Sequence, residues 1–181
     1  MFYKEYDSGQ ILDEGINEAG AMSSWIAAAT AYSSHCVNKI HFYIYYTIFG
    51  FKRIVDLTWP AGDMQARGFL IGGTAGRTTL AGEGLQHQDG HSLLVASPIP
   101  NCIAYDPCFA YELAVIIHDG MCRMMQHQED VYYYVTAMNE NYVQPAMPKG
   151  VEKGIVKGMY RYSEEPAKKG QAKAQLFGSG T

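Results

Sequence analysis

Along the chain, stretches in which hydrophobic positions recur with the spacing of a helix alternate with stretches that have the pattern of a strand. Residues 13–32 carry apolar side chains on one helical face, namely Ala21, Met22, Trp25, Ile26 and Ala29. Asn17 or Asp13 is a suitable cap, which would place Glu18 in the first helical turn, where a glutamate ordinarily complements the helix dipole. Residues 40–46 are aromatic and β-branched, which predicts a buried strand.

The same alternation continues through the rest of the chain. Residues 47–59 turn helical, and we expect Pro60 to kink this helix or to end it near Thr58 or Trp59. Further strands are predicted at 68–73, 92–97, 102–107 and 130–136, and further helices at 108–125 and 151–157. Strands that alternate with helices predict an α/β domain, with a mainly parallel sheet and helices on both of its faces.

One stretch, residues 73–91, has neither period and separates two apolar runs. It is rich in glycine and carries the polar side chains Arg77, Glu83, His87, Asp89 and His91. A long polar loop between ordered elements is often functional. Ligands of a parallel sheet bind where strands end, so we expect this loop to meet the loops after Tyr46 and Thr136.

Composition excludes some classes of protein but does not indicate which reaction a protein of this kind would catalyse. The 181 residues are 48% hydrophobic, which is typical of one globular domain. A net charge of -4 without blocks of like charge does not suggest a nucleic-acid partner, and no apolar run is long enough to span a membrane. The four cysteines form no Cys-x-x-Cys pair, which favours buried, reduced thiols in a cytoplasmic protein.

Standard catalytic and binding motifs are absent from the sequence. Neither a dinucleotide fingerprint, a P-loop nor a Gly-x-Ser-x-Gly nucleophile elbow occurs. His87 and His91 have the spacing of a metal pair, but the neighbouring glycines disfavour a regular helix and no third ligand is evident, so we predict no metal site. Residues 72–76 can bind an anion through backbone amides, although glycine-rich turn geometry is the simpler interpretation.

Six ordered blocks of sequence carry a resemblance to a known family. They are residues 14–21, 42–53, 66–80, 82–87, 101–107 and 139–142. Together they closely resemble the homodimeric bacterial E1 component of pyruvate dehydrogenase, a transketolase-like thiamine diphosphate enzyme. The match is to its middle domain, which binds the aminopyrimidine end of the cofactor. We therefore assign residues 1–158 to this domain and residues 159–181 to a connector and the start of a truncated C-terminal domain.

The resemblance implies roles for particular side chains around the cofactor. Glu18 matches the glutamate that hydrogen-bonds the pyrimidine ring and so promotes loss of the thiazolium proton, and we expect partial burial to raise its pKa. The resemblance places Phe49 against the pyrimidine and Tyr46 in the wall of the pocket, where both contact the cofactor. Arg53, together with Tyr46, is a substrate-binding position.

The loop supplies the remaining matched residues. Glu83 and His87 correspond to catalytic loop residues that reach the reacting centre, and His87 also contacts substrate in this interpretation. Three loop positions depart from the usual family pattern, namely Ala81, Gln88 and Leu93.

The family's reaction decarboxylates pyruvate and transfers the acetyl group to a lipoyl group of E2. The implied partners are the lipoyl domain of E2 and the diphosphate-binding domain of a second E1 subunit, which holds thiamine diphosphate through Mg²⁺. That domain has no counterpart here, so we expect this chain alone to be inactive. The alternative hypothesis is a non-catalytic fragment or interaction domain.

Overall fold

Four parallel strands form the central sheet in the computed structural model, which describes residues 7–76, 84, 87–138, 140–166, 170 and 172–179. The strands are β1 Phe42–Tyr46, β2 Phe69–Gly73, β3 Cys102–Tyr105 and β4 Tyr132–Thr136. They pair in the order β1-β2-β4-β3, and each pair is parallel. Because every pair is parallel, the carboxyl ends of all four strands lie at one edge of the sheet.

Helices cover both faces of this sheet. They are α1 Glu18–Ala29, α2 Ala31–Ser34, α3 Thr47–Asp63, α4 Ser92–Ala96, α5 Ala110–Met121 and α6 Glu152–Val156, with a π-helical turn, Cys122–Gln126, extending α5. Alternate residues of β4 enter two separate cores. Tyr132 and Tyr134 pack with α1, α3 and α4, whereas Tyr133 and Val135 pack with α5 and α6. The predicted α/β architecture is therefore confirmed.

The prediction that the first strand is buried is wrong. β1 lies at the edge of the sheet, and Phe42, Ile44 and Tyr46 of this strand are exposed, with Ile44 reaching 69%. The opposite face of β1 packs against the core through Tyr45, which is buried, and Tyr43, which is partly buried. An aromatic and β-branched run predicts a strand but not its place in the sheet order, and that order decides burial.

The helix that contains Pro60 does not end there. α3 continues to Asp63, and the Pro60 carbonyl still accepts from the Met64 amide at 2.9 Å. Proline removes one amide donor, but Ala61 beyond it is fully buried, and Asn101 donates its side-chain amide to the Gly62 carbonyl at 3.0 Å. Packing beyond the proline therefore stabilises the last turn.

Two further sequence expectations are corrected. Residues 92–97 contain the short helix α4 rather than a strand, because a preceding carboxylate caps this segment, as described below. The four cysteines are free, as predicted, but only Cys102 is buried, and Cys36 is exposed. Over the part of the chain that the structure describes, no helix combines the length and apolar character needed to cross a membrane.

Candidate functional site

Two of the three loops expected to meet at the carboxyl edge are joined by backbone hydrogen bonds. The Ala75 amide donates to the Ala137 carbonyl at 3.0 Å, and the Ala137 amide donates to the Gly72 carbonyl at 2.7 Å. Thr74, directly after β2, has a φ of 53°, which is unusual for a β-branched residue. Backbone strain of this kind is concentrated at functional sites, so it indicates a functional role for this edge of the sheet.

An aromatic cluster forms where the loop returns to the end of β1. Tyr46 ends β1, and Phe49 follows within the first turn of α3, which places their rings 5.3 Å apart between centroids. The imidazole of His87 lies nearly perpendicular to both rings, with centroid distances of 5.1 Å to each. We use the term aromatic cluster for Tyr46, Phe49 and His87. Two neighbouring aromatic residues and a histidine about 40 positions later in the sequence thus share one surface beside the strand end.

A carboxylate stands next to this cluster and is joined to it by a cation. Glu18 Oε1 accepts from Arg53 Nη1 at 2.5 Å, and the Arg53 guanidinium lies 5.0 Å from the centroid of the Phe49 ring. Arg53 is one helical turn beyond Phe49 on α3, so both side chains project from the same face. The side chain of Glu18 is 18% exposed and that of Arg53 is 55% exposed.

Local sequence explains why Glu18 stands at this position. Asn17 caps α1 by accepting from the Gly20 amide at 3.1 Å, so Glu18 is the first helical residue. Tyr43 of β1 donates its hydroxyl to the Glu18 carbonyl at 3.5 Å, which ties the start of α1 to the edge strand. Of the two predicted candidate caps, Asn17 rather than Asp13 caps the helix, and the predicted first-turn position of Glu18 is confirmed.

The expected rise in the pKa of Glu18 is wrong for this structure. The pKa of the carboxyl is lowered, first because its own backbone amide hydrogen-bonds it. Partial burial acts in the opposite direction, but the hydrogen bond and positive charge of Arg53 lower the pKa further. The sequence argument considered only the apolar neighbours of Glu18 on α1 and omitted a cation from α3.

Near the end of β2, Gly72 packs closely against Thr47, the residue that follows Tyr46. A Cβ at Gly72 would lie 2.5 Å from Thr47 Cγ2 and 2.9 Å from Tyr134 Oη, so only glycine fits between them. Thr47 and Tyr134 are themselves buried. Our sequence analysis did not predict Thr47 or Tyr134 as parts of the site and considered Gly72 only within a possible anion-binding turn; the signal for close packing was the small residue at the end of a predicted strand.

The structure brings together five of the six predicted site residues. They are Glu18, Tyr46, Phe49, Arg53 and His87. Glu83, the sixth, lies outside the described residues, as does Ala81. Across the described ranges, no group of three or more His, Cys, Asp or Glu side chains is arranged to hold a metal ion.

A separate cavity of about 160 Å³ lies farther along the same edge of the sheet. Its walls come from the start of α5 and the segment after β4, including Cys108, Phe109, Thr136, Met138 and Tyr142. The Glu18 carboxylate and the aromatic cluster do not line this cavity. We place the candidate site at the open cluster, because acid, cation, imidazole and flat rings meet there.

Comparisons with known proteins identify the family of this chain. A family model described as the pyruvate dehydrogenase E1 component middle domain matches residues 1–145. Proteins named pyruvate dehydrogenase E1 component are 66% identical in Pseudomonas aeruginosa over 100% of this chain, and 62% identical in Escherichia coli over 99% of it. The chain spans 20% of the length of each of these relatives. The chain therefore belongs to the family of pyruvate dehydrogenase E1 component middle domains.

Proposed function

We propose that this chain supplies the pyrimidine-binding half of the thiamine diphosphate site of a pyruvate dehydrogenase E1. The complete enzyme would decarboxylate pyruvate and transfer the acetyl group to a lipoyl group of E2. The observation that carries this proposal is the juxtaposition of Glu18 with the aromatic cluster through Arg53. Relatives at 57% to 66% identity are named for the same enzyme component, which supports the assignment.

The donor set fits the pyrimidine end of the cofactor. Flat rings at Tyr46 and Phe49 suit contact with a heteroaromatic ring, and Glu18 offers a carboxylate to a ring nitrogen beside them. Thiamine diphosphate, when bound, supplies a thiazolium carbon that attacks the carbonyl of the substrate. The pKa of Glu18 is lowered by its backbone hydrogen bond and further by Arg53, which favours a carboxylate that can accept a hydrogen bond or share a proton with the ring nitrogen.

His87 and Arg53 are assigned to the substrate side of the site. The imidazole of His87 lies against both rings of the cluster, where it can donate to the oxygen of a pyruvate-derived group or to the lipoyl group. Arg53 is 55% exposed, so its guanidinium can also contact a carboxylate that approaches from solvent. Glu83 remains a proposed catalytic residue of the same loop.

Other parts of the enzyme belong to the proposal as well. Mg²⁺ and the diphosphate would be held by the diphosphate-binding domain of a second subunit in a homodimer, and the lipoyl domain of E2 would accept the acetyl group. We assign residues 159–181 to a connector that leads toward a C-terminal domain. Four free thiols support a cytoplasmic location.

Calorimetric titration of the complete E1 with thiamine diphosphate and Mg²⁺ tests the proposal. We expect Phe49→Ala to weaken cofactor binding about tenfold, which corresponds to about 1.4 kcal/mol. Phe109→Ala is the matched control, because Phe109 stacks on Tyr111 and Tyr162 away from the cluster. Equal affinities for the wild type and Phe49→Ala would refute the assigned cofactor contact. A complete E1 that binds no cofactor would favour the non-catalytic alternative.

A further inference from the structure

We propose that Asp89 is a positioning residue that holds His87 against the rings of Tyr46 and Phe49. The inference deepens the proposed function and rests on it, because that function gives His87 its contact with substrate. Asp89 itself is not assigned a contact with substrate or cofactor. It acts through the geometry of the segment that carries the imidazole.

Asp89 is a buried carboxylate whose hydrogen bonds stay within its own segment. It is 4% exposed. Its Oδ1 accepts from the backbone amides of His91 at 3.2 Å and Ser92 at 3.0 Å, and its Oδ2 accepts from Ser92 Oγ at 2.5 Å. Among the residues that the structure describes, no lysine, arginine or histidine side chain forms an ion pair with it. Three donors thus compensate the burial of this charge.

These hydrogen bonds fasten the end of the loop to the core. Ser92 is buried and begins α4, a helix whose nominal cap, His91, makes no side-chain capping bond. Asp89 provides the cap instead. α4 in turn packs on α3 and β3, and Ala96 at its end is fully buried. Asp89 therefore has a fixed position relative to the sheet.

Only Gln88 separates this fixed point from His87. The His87 amide donates to the Gly84 carbonyl at 3.0 Å, which turns the chain just before the imidazole. Two residues span at most about 7 Å, so a shift of Asp89 passes almost directly to His87. Since misplacement of a reacting group by about 1 Å can lower a rate about 100-fold, a fixed anchor at this point has a functional consequence.

The first test measures the position of His87 without using activity. In the complete E1, diethyl pyrocarbonate modification is followed at His87 by mass spectrometry in the wild type, Asp89→Ala and Asp89→Asn. We expect Asp89→Ala to raise the modification rate at His87 several-fold. Asp89→Asn, which keeps an acceptor for the two amides and reduces the risk of misfolding, should give a smaller rise. An unchanged rate in both folded variants would overturn the proposal.

The second test is a double-mutant cycle on kcat/KM with His87→Ala. We expect Asp89→Ala to lower kcat/KM about 100-fold in the wild type and to have little further effect when His87 is already absent. Equal losses in both backgrounds would overturn the proposal, because they would mean that Asp89 acts independently of His87. Asp119→Asn is the control: this carboxylate accepts from Tyr133 Oη at 3.0 Å on the other face of the sheet.

The two tests separate failure of this inference from failure of the proposed function. Full turnover by His87→Ala would refute the assigned role of His87, whereas the modification rate would still report whether Asp89 holds it. Unchanged modification together with a slow His87→Ala enzyme would instead refute the role of Asp89 alone.

Discussion

Two glutamates occupy the first turns of two helices in this fold, and their surroundings are opposite. Glu112 of α5 is 8% exposed, and its oxygens accept from the Cys108 amide at 2.5 Å, the Phe109 amide at 3.1 Å and Tyr160 Oη at 2.5 Å. Glu18 of α1 is bound by its own amide and by a half-exposed arginine. Both residues are glutamates in the first turn of a helix, Glu18 as the first residue of α1 and Glu112 as the third residue of α5, and their tertiary surroundings further distinguish the two carboxylates.

The comparison separates a structural carboxylate from one that is available for chemistry. Every hydrogen bond of Glu112 joins it to the start of its own helix or to the segment after α6, so it links two parts of the domain. The main partner of Glu18 is a side chain that faces solvent and can move. A glutamate near a helix start therefore indicates function only when its partners can be exchanged.

The largest expected effect is on activation of the cofactor. In the complete E1, we expect Glu18→Gln to slow exchange of the thiazolium C2 proton at least 100-fold, because an amide cannot deliver a proton to the ring nitrogen or share one with it. The exchange rate is measured by nuclear magnetic resonance in deuterated buffer. Glu112→Gln is the matched control and should stay within about threefold of the wild type. Similar slowing by both substitutions would remove the distinction between the two glutamates.

Substitution of the two glutamates by alanine should affect the free energy of unfolding in the reverse order, with the larger loss at Glu112. Glu112→Ala leaves two backbone amides and a tyrosine hydroxyl without their acceptor, and we expect it to lower the free energy of unfolding by about 2–4 kcal/mol. Glu18→Ala removes a partly exposed ion pair and should lower it by less than about 1 kcal/mol. Urea unfolding followed by circular dichroism measures both values. A larger loss for Glu18→Ala would contradict the structural assignment of Glu112.

A smaller effect is expected at the partner of Glu112. Tyr160→Phe removes one partly buried hydroxyl, which donates to Glu112 and also meets the Tyr111 hydroxyl at 2.5 Å. The free energy of unfolding should fall by about 1 kcal/mol. Tyr142→Phe removes a hydroxyl that contacts Glu140 at the surface, at 3.0 Å, and serves as the control with an expected change below about 0.5 kcal/mol. Equal changes would show that burial around Glu112 is unimportant.

The smallest effect concerns acid stability. The folded-state pKa of Glu18 lies below its ordinary value of 4.5, so its stabilising contribution is present above that value and is lost as pH falls through the folded pKa. Arg53→Met removes one cause of the lowered pKa. It should therefore reduce the loss of unfolding free energy between pH 7 and pH 3 by less than about 1 kcal/mol. Unfolding free energies at pH 7 and pH 3 provide the measurement. Identical pH dependence in the wild type and variant would show that Arg53 does not stabilise ionised Glu18.

Local patterns in the sequence determined most of the secondary structure, because apolar period and capping depend on neighbouring residues. The strands β2, β3 and β4 and the helix α5 lie within their predicted ranges, and Asn17 caps α1 as expected. The resemblance identified Glu18, Tyr46 and Phe49 before their proximity was visible. The Asp-x-x-Ser spacing of residues 89–92 was an available helix-start signal that the sequence analysis did not use.

Tertiary structure decided how exposed these residues are and which distant charges act on them. The sheet order leaves β1 at an edge, and packing beyond Pro60 carries α3 to Asp63. Arg53 lies 35 residues from Glu18 in sequence yet lowers its pKa, which no local pattern can predict. Periodicity reports the direction of each side chain within its element, whereas burial and electrostatics depend on which elements become neighbours. The sequence therefore identified Glu18 as the candidate carboxylate, and the tertiary fold placed beside it the arginine that lowers its pKa further.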